Sequence, residues 1–146
     1  MSLCEVVERA SELGAEKIVI IDRWQGGPGR IRLIKTSGEV VTKITPSIYI
    51  SGIILRRELG ATRKRTHSVF IDGTDGGGQE IEALKETLSD FFCIPVMDPN
   101  GSSAQYKATM RISMDSSNRL MISFYTVPNG IEIGPRITVS HVAWED

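Results

Sequence analysis

The sequence has little of what marks secreted, metal-binding or membrane proteins. Its 146 residues include only two cysteines, Cys4 and Cys93, and these form no C-x-x-C pair. Their scarcity excludes zinc fingers and disulfide-stapled domains, and it indicates a reduced, cytoplasmic environment. The apolar runs, such as residues 18–21 and 53–55, are far too short to cross a membrane. The chain is 40% hydrophobic, enough to bury a core, so we expect a globular protein. We also expect it to be a monomer.

Phosphate-binding and calcium-binding motifs are absent as well. The glycine-rich segments 26–29 and 76–78 match neither a dinucleotide fingerprint nor a P-loop. Asp72, Asp75 and Glu80 do not have the spacing of an EF-hand. No nucleophile stands in a recognisable arrangement with a base. We therefore expect no enzyme activity, no cofactor and no metal.

The few histidines and cysteines have structural interpretations. His141 alternates in register with apolar residues of a predicted strand, which favours a packed or hydrogen-bonded structural histidine. His67 follows a basic stretch and is interpreted as a loop residue or the start of a strand. Cys93 follows two phenylalanines on an apolar helix face, which predicts a buried, inert thiol.

The net charge of −1 hides a strong asymmetry along the chain. Residues 1–16 carry a net charge of −3, residues 17–65 carry +8, and residues 66–146 carry −6. A polyanion responds to the local field of a basic surface rather than to the total charge. The near-neutral total therefore does not exclude nucleic acid. The alternative is that the acidic and basic segments face each other in the fold and cancel.

The first 57 residues predict a helix followed by several strands. The apolar spacing over 3–13 is that of an amphipathic helix, with Ser2 and Glu5 as a capping box and Gly14 in the left-handed position after it. Residues 17–22 form a β-branched apolar run, which predicts a central strand buried on both faces. After a turn at 25–29, a strand over 30–35 would place two arginines on one face and form a hairpin with the preceding strand.

Further strands are predicted over 39–44 and 47–57, separated by Pro46, with Gly52 at a bulge or a close approach. Beyond the basic loop 60–67, the pattern predicts a strand over 68–71 and a glycine-rich connection. An amphipathic helix over 79–92 follows, with an acidic outer face. Three more strands are predicted over 105–114, 119–126 and 136–144. Helix–strand–strand units recur in both halves, which predicts an α/β (α+β) fold of two related lobes with mixed or antiparallel sheets and flanking helices.

Five short motifs, in order, resemble the Brix domain family, in particular its small archaeal ribosome-biogenesis proteins. The first is the helix end, strand and Gly-Pro-Gly-Arg-Ile turn at 13–35 (LGAEKIVIIDRWQGGPGRIRLIK). An apolar strand ending in Arg-Arg-Glu lies at 47–59, and a His-x-x-Phe strand lies at 67–70. A Phe-x-x-Pro-Val helix end lies at 92–96, and a Gly-Pro-Arg strand start lies at 134–137. Their order and spacing agree with the family over nearly the whole chain.

The resemblance implies one Brix domain over 1–146, with the remainder of a first lobe at 1–45 and a second lobe at 46–146. Each lobe would be similar to the anticodon-binding domain of certain aminoacyl-tRNA synthetases. Family members begin with a strand, a Ser/Thr- and Arg-rich loop and a helix that this sequence lacks. We expect either a mis-assigned start or a reduced paralogue, with one edge of strand 17–22 left exposed.

The implied function is non-enzymatic binding of rRNA or pre-rRNA during rRNA processing and ribosomal subunit assembly. Trp24 would stack on an unpaired base or, equally, anchor the hairpin against its lobe. The alternative function is a protein–protein adaptor that docks ribosomal proteins or other assembly factors on the acidic helix 79–92 and the C-terminal sheet. The predicted RNA-binding residues are Arg23, Trp24, Arg30, Arg32, Arg56, Arg57, Arg63, Lys64 and Arg65.

Overall fold

The described part of the chain forms two helices and eight strands. The computed structural model describes residues 3–24, 27–37, 40–55, 68–74, 78–100, 106–127 and 129–144. The elements, in chain order, are α1 (Leu3–Glu12), β1 (Lys17–Trp24), β2 (Gly27–Ser37), β3 (Val40–Ile54), β4 (Val69–Asp72), α2 (Gln79–Phe92), β5 (Val96–Met97), β6 (Ala108–Met114), β7 (Leu120–Thr126) and β8 (Arg136–Ala143).

The strands are hydrogen-bonded in the order β1-β2-β3-β8-β7-β6-β4-β5. β4 runs parallel to both β5 and β6, whereas the β1–β2, β2–β3, β6–β7 and β7–β8 pairs are antiparallel. This mixed sheet with two helices confirms the predicted α/β (α+β) class. Within the described ranges, neither helix combines the length and apolarity needed to span a membrane.

The chain divides into two compact units. Unit 1 comprises Met1–Tyr49 and His141–Asp146, and unit 2 comprises Ile50–Ser140. The family resemblance implies a lobe boundary after residue 45, which stays a prediction. The two compact units divide the chain after Tyr49, and the C-terminal segment belongs to unit 1.

Unit 1 is built on the packing of α1 against the first hairpin. The apolar face of α1 contributes Ala10, with Val6 and Val7 beside it, and it packs on Ile18 of β1 and Ile34 of β2. Gly14 follows the helix with a φ of 75°, which confirms the predicted left-handed position. Ser2, the predicted cap, lies outside the described residues.

The prediction that residues 17–22 form a central strand buried on both faces is wrong. β1 lies at one end of the strand order, and of its side chains only Ile18 is buried. Val19 and Ile21 point to the face opposite α1, and Ile21 is 66% exposed. A β-branched run favours a strand, but the number of covered faces is set by tertiary packing. The expectation of an exposed edge is confirmed among the described residues, because β1 pairs there only with β2.

The predicted interruption at Pro46 is also wrong, because β3 is continuous from Val40 to Ile54. Ile31 of β2 pairs with Ile48, and Leu33 pairs with Ile44, so β3 is longer than β2 between these pairs. Pro46 is accommodated in this register shift, where a ladder N–H is not needed. A Cβ on Gly52 would meet no atom within 4 Å, so the close approach predicted there is absent.

In unit 2, α2 begins and ends where the periodicity predicts. Its buried apolar residues are Ile81, Leu84, Leu88 and Phe91, whereas Phe92, its last residue, is 41% exposed. The sequence also missed Lys85, which belongs to the same buried face and is only 2% exposed.

The prediction of a buried thiol at Cys93 is wrong. Cys93 ends α2 in the left-handed conformation with a φ of 55°, and this turn leaves the residue exposed.

The strands that follow are close to the predicted ones, with two differences. β6 begins at Ala108 and pairs in parallel with β4 as well as antiparallel with β7, and the short β5 was not predicted.

Candidate nucleic-acid interface

A row of polar side chains crosses the sheet of unit 1. Asp22 of β1 pairs with Arg30 of β2, and Arg30 pairs in turn with Tyr49 of β3. Directly opposed residues share a face of the sheet, so these three side chains lie on one side. The same alternation puts Ile18 and Ile34 on that side, where α1 covers them. The helix therefore covers one end of this face and the polar row occupies the other.

Gly29 allows the hairpin to close tightly beside this row. It has a φ of +124°, and a Cβ at this position would lie 2.7 Å from the carbonyl oxygen of Asp22. No side chain fits so close to backbone, which explains why glycine precedes Arg30.

Asp22 holds two arginines. Its carboxylate accepts hydrogen bonds from Arg30 Nε at 3.3 Å and Arg30 Nη2 at 3.0 Å, and from Arg32 Nη2 at 3.0 Å. The side chains of Arg30, Arg32 and Asp22 are 19%, 20% and 32% exposed, respectively. The fork of Arg30 is the geometry in which a guanidinium binds a carboxylate most strongly. The cluster carries a net charge of +1 and is held in place on the sheet.

The charges of the cluster shift each other's pKa values. The hydrogen bonds from Arg30 are the main cause that lowers the pKa of Asp22; its partial burial opposes them, and the positive charges of both arginines add to them. The hydrogen bond to Asp22 likewise raises the pKa of Arg30, with a further hydrogen bond to Tyr49. Asp22 is therefore ionised at neutral pH, and Arg30 keeps its charge.

Tyr49 continues the row into an aromatic pair. Its ring stacks on that of His141 of β8, with the centroids 4.3 Å apart and the planes 10° from parallel. Tyr49 is half-buried, whereas His141 is exposed. His141 is thus packed against a neighbour, as the alternation predicts, but it lies at the surface.

The structure describes four of the nine predicted RNA-binding residues. Arg30 and Arg32 lie together in the row, and Arg23 is exposed at the end of β1 beside a register shift. Trp24 is the last residue of β1, and its side chain lies outside what the structure describes, so both interpretations of it stay predictions. The basic residues after β3 lie outside the described residues: Arg56, Arg57, Arg63, Lys64 and Arg65.

Three lysines of unit 1 add positive charge outside the row, and the sequence does not single them out. Lys17, Lys35 and Lys43 are all exposed. Lys17 and Lys35 face each other across β1 and β2, on the side of the sheet opposite Asp22. They border an open groove of about 540 Å³, which is lined by Ser11, Gly14, Ala15, Glu16, Lys17, Lys35, Thr36 and Ser37. The count of bases over 17–65 was the only signal for these residues.

A second polar cluster in unit 2 connects the end of β4 with α2 and β6. Asp72 is buried and accepts hydrogen bonds from the Thr74 hydroxyl at 2.6 Å, the Thr74 N–H at 2.9 Å and Arg111 Nε at 3.2 Å. Burial raises the pKa of Asp72, but the hydrogen bonds from Thr74 and Arg111 together outweigh it and lower the pKa. Lys85 Nζ donates to the Thr74 carbonyl oxygen at 2.9 Å. The groups bond one another, so this cluster is structural.

The part of the chain that the structure describes contains no group of three His, Cys, Asp or Glu residues placed to bind a metal. Unit 1 presents the guanidinium groups of Arg30 and Arg32 and the stacked rings of Tyr49 and His141. Fixed guanidinium groups suit phosphates, and exposed aromatic faces suit unpaired bases.

Comparison with known proteins shows a similar fold in a solved structure. No family model matches the chain, and no curated protein does. Among solved structures, the fold resembles that of a probable ribosomal biogenesis protein from Aeropyrum pernix K1, determined by crystallography. The two have a TM-score of 0.68 and 21% sequence identity over 95% of this chain and 75% of that chain. At this level of identity, the likeness establishes a shared fold.

Proposed function

We propose that this protein is a non-enzymatic ribosome-biogenesis factor of the Brix type that binds rRNA or pre-rRNA through unit 1. The observation that carries the proposal is the fold, which matches that of a probable ribosomal biogenesis protein over 95% of the chain. The five Brix-like motifs support the same conclusion independently of the structure. Fold alone does not assign function, so the binding surface needs its own argument.

The electrostatics of unit 1 supply that argument. Its described strand residues from Lys17 to Tyr49 include six bases and one acid. The acid is Asp22, which bonds two of the bases and positions them. The remaining bases are exposed, as phosphate contacts require. The acidic residues of α1 oppose a polyanion, so RNA would follow the strands rather than the helix.

RNA binding is tested with the full chain and a fluorescently labelled single-stranded RNA, by anisotropy over a salt series. We expect measurable affinity at low salt and a log–log slope of about −0.7 per phosphate contact. The variant Arg23→Glu should bind more weakly and with a shallower slope, because it removes an exposed cation of unit 1.

Lys107→Glu is the matched control, since it makes the same charge change at an exposed residue of unit 2. If both variants lose affinity equally, the binding follows total charge and the proposed surface is wrong. If the wild-type chain binds no RNA at low salt, RNA binding is not its function.

An adaptor role is the second candidate, and one observation favours it. The four acids on the outer face of α2 are all exposed: Glu80, Glu82, Glu86 and Asp90. A basic ribosomal protein would complement this face. The adaptor is favoured if Arg23→Glu leaves the recovery of the protein with assembling ribosomal particles unchanged.

A further inference from the structure

The aromatic pair of unit 1 carries an inference that rests on the proposed function and refines it. Asp22, Arg30, Tyr49 and His141 occupy four strands in one row, and each side chain contacts the next. Asp22 bonds Arg30, Arg30 bonds Tyr49, and the Tyr49 ring stacks on His141. His141 has the most exposed ring of the row, and the chain of contacts through Tyr49, Arg30 and Asp22 fixes its position.

We propose that the Tyr49–His141 pair is a stacking platform for one unpaired RNA base, with Arg30 and Arg32 beside it to hold the adjoining phosphate. A base would extend the existing stack on the exposed imidazole ring. The arginines lie in the same row or next to it, at the end of this face of the sheet that α1 does not cover.

Preorganisation favours this arrangement over a chance surface pair. A side chain that is ordered before binding loses less conformational entropy when the ligand arrives. The carboxylate of Asp22 orders Arg30, and Arg30 in turn orders the Tyr49 ring against which His141 lies. An exposed imidazole with no such support would have no fixed plane to offer a base.

The competing explanation is that the two rings only stabilise the sheet as a cross-strand pair. It predicts that removing a ring lowers stability without changing how the protein distinguishes a base from a bare backbone. A probe that lacks bases separates the two explanations.

The experiment compares a short single-stranded RNA with an oligonucleotide of the same length whose nucleotides all lack the base. We expect the wild-type chain to bind the intact RNA more tightly, and His141→Ala to lose roughly 5- to 150-fold in affinity for it. The affinity of His141→Ala for the abasic probe should stay near the wild-type value. His141→Phe keeps a ring and should retain most of the preference for the intact RNA.

Two results would overturn the inference, and they differ in meaning. If the wild-type chain binds RNA and His141→Ala keeps the wild-type ratio between the two probes, the platform is wrong while RNA binding stands. If the wild-type chain binds neither probe at low salt, RNA binding and the platform fail together. Thermal midpoints of His141→Ala and His141→Phe identify any loss that comes from unfolding.

Discussion

Replacing Asp22 with asparagine should weaken the fold and strengthen RNA binding at the same time. The substitution keeps the size of the side chain but removes the charge that three hydrogen bonds from Arg30 and Arg32 share. Two half-buried guanidinium groups would then lie side by side without a counter-charge. Arg32 Nε is buried and already has no hydrogen-bond partner. The cluster can therefore hardly replace the lost carboxylate with other hydrogen bonds.

The expected loss of stability follows from how buried the cluster is. Removing the partner of a buried charged donor lowers the free energy of unfolding by about 1–3 kcal/mol. Breaking a fully buried ion pair lowers it by roughly 3–5 kcal/mol. The side chain of Asp22 is 32% exposed, so solvent screening keeps the loss in the lower range. A loss of about 2 kcal/mol lowers the thermal midpoint by roughly 4–8 °C in a chain of this size.

The assay is thermal or urea unfolding at pH 7, with Glu12→Gln as the control. Glu12 forms an exposed pair with Arg9 on α1, and such a pair contributes only about 0.2–0.5 kcal/mol. If Asp22→Asn changes stability no more than this control does, the reasoning about the half-buried cluster is refuted. RNA affinity at low salt should rise in Asp22→Asn, because the net charge of the cluster increases from +1 to +2.

The difference in stability between the wild-type chain and Asp22→Asn should depend on pH in a defined way. The pKa of Asp22 in the folded chain lies below its ordinary value of 3.8. Ionised Asp22 therefore stabilises the fold above that value, and this contribution is lost as the pH falls through the folded pKa. The difference in stability between wild type and Asp22→Asn should be constant near neutral pH and should disappear in acid. A difference that persists in acid would mean that the charge is not its source.

Two further predictions concern the fold. Lys85→Ala should lower the free energy of unfolding by about 2–4 kcal/mol, because it removes a buried side-chain stem and the hydrogen bond to Thr74. The control Glu86→Ala, on the exposed face of α2, should change it by less than about 0.5 kcal/mol. A small effect of Lys85→Ala would contradict the place of Lys85 in the core. Ile21→Lys should leave the unfolding midpoint within about 2 °C of the wild-type value, since Ile21 is 66% exposed. It should also reduce any self-association seen by light scattering. Strong destabilisation would show that this face is covered.

The helices and most strands are predictable because their periodicity is local. The 3.6-residue spacing of apolar residues locates both helices within a residue or so of their observed ends. Strict alternation predicts β6, and the glycine-rich segment 25–29 predicts the β1–β2 hairpin. The predicted extent of the turn is wrong, because residues 27–29 already belong to β2, where Gly27 pairs with Trp24 at the end of β1. The shared face of Arg30 and Arg32 follows from the same alternation, and the structure confirms it.

What the sequence does not reveal depends on contacts between distant segments. The position of β1 at the end of the strand order and the burial of Lys85 both depend on what packs against them. The pairing of Asp22 with two arginines needs the register of the hairpin, which no single strand contains. The stacking of Tyr49 on His141 joins residues that are far apart in the sequence, so only the topology brings the two rings together.

This dependence on register changes how the charge of residues 17–65 should be interpreted. Counting charges treats Asp22 as a loss of one positive unit, but its geometry makes it the group that fixes two arginines in place. An arginine on a flexible stem must be ordered when it binds a phosphate, whereas one already held by a carboxylate is ordered beforehand. Stability and binding therefore oppose each other at this residue: removing the acid adds attraction for RNA and removes the order that directs it. Asp22→Asn should accordingly bind all polyanions more tightly while it distinguishes intact from abasic RNA less well than the wild-type chain.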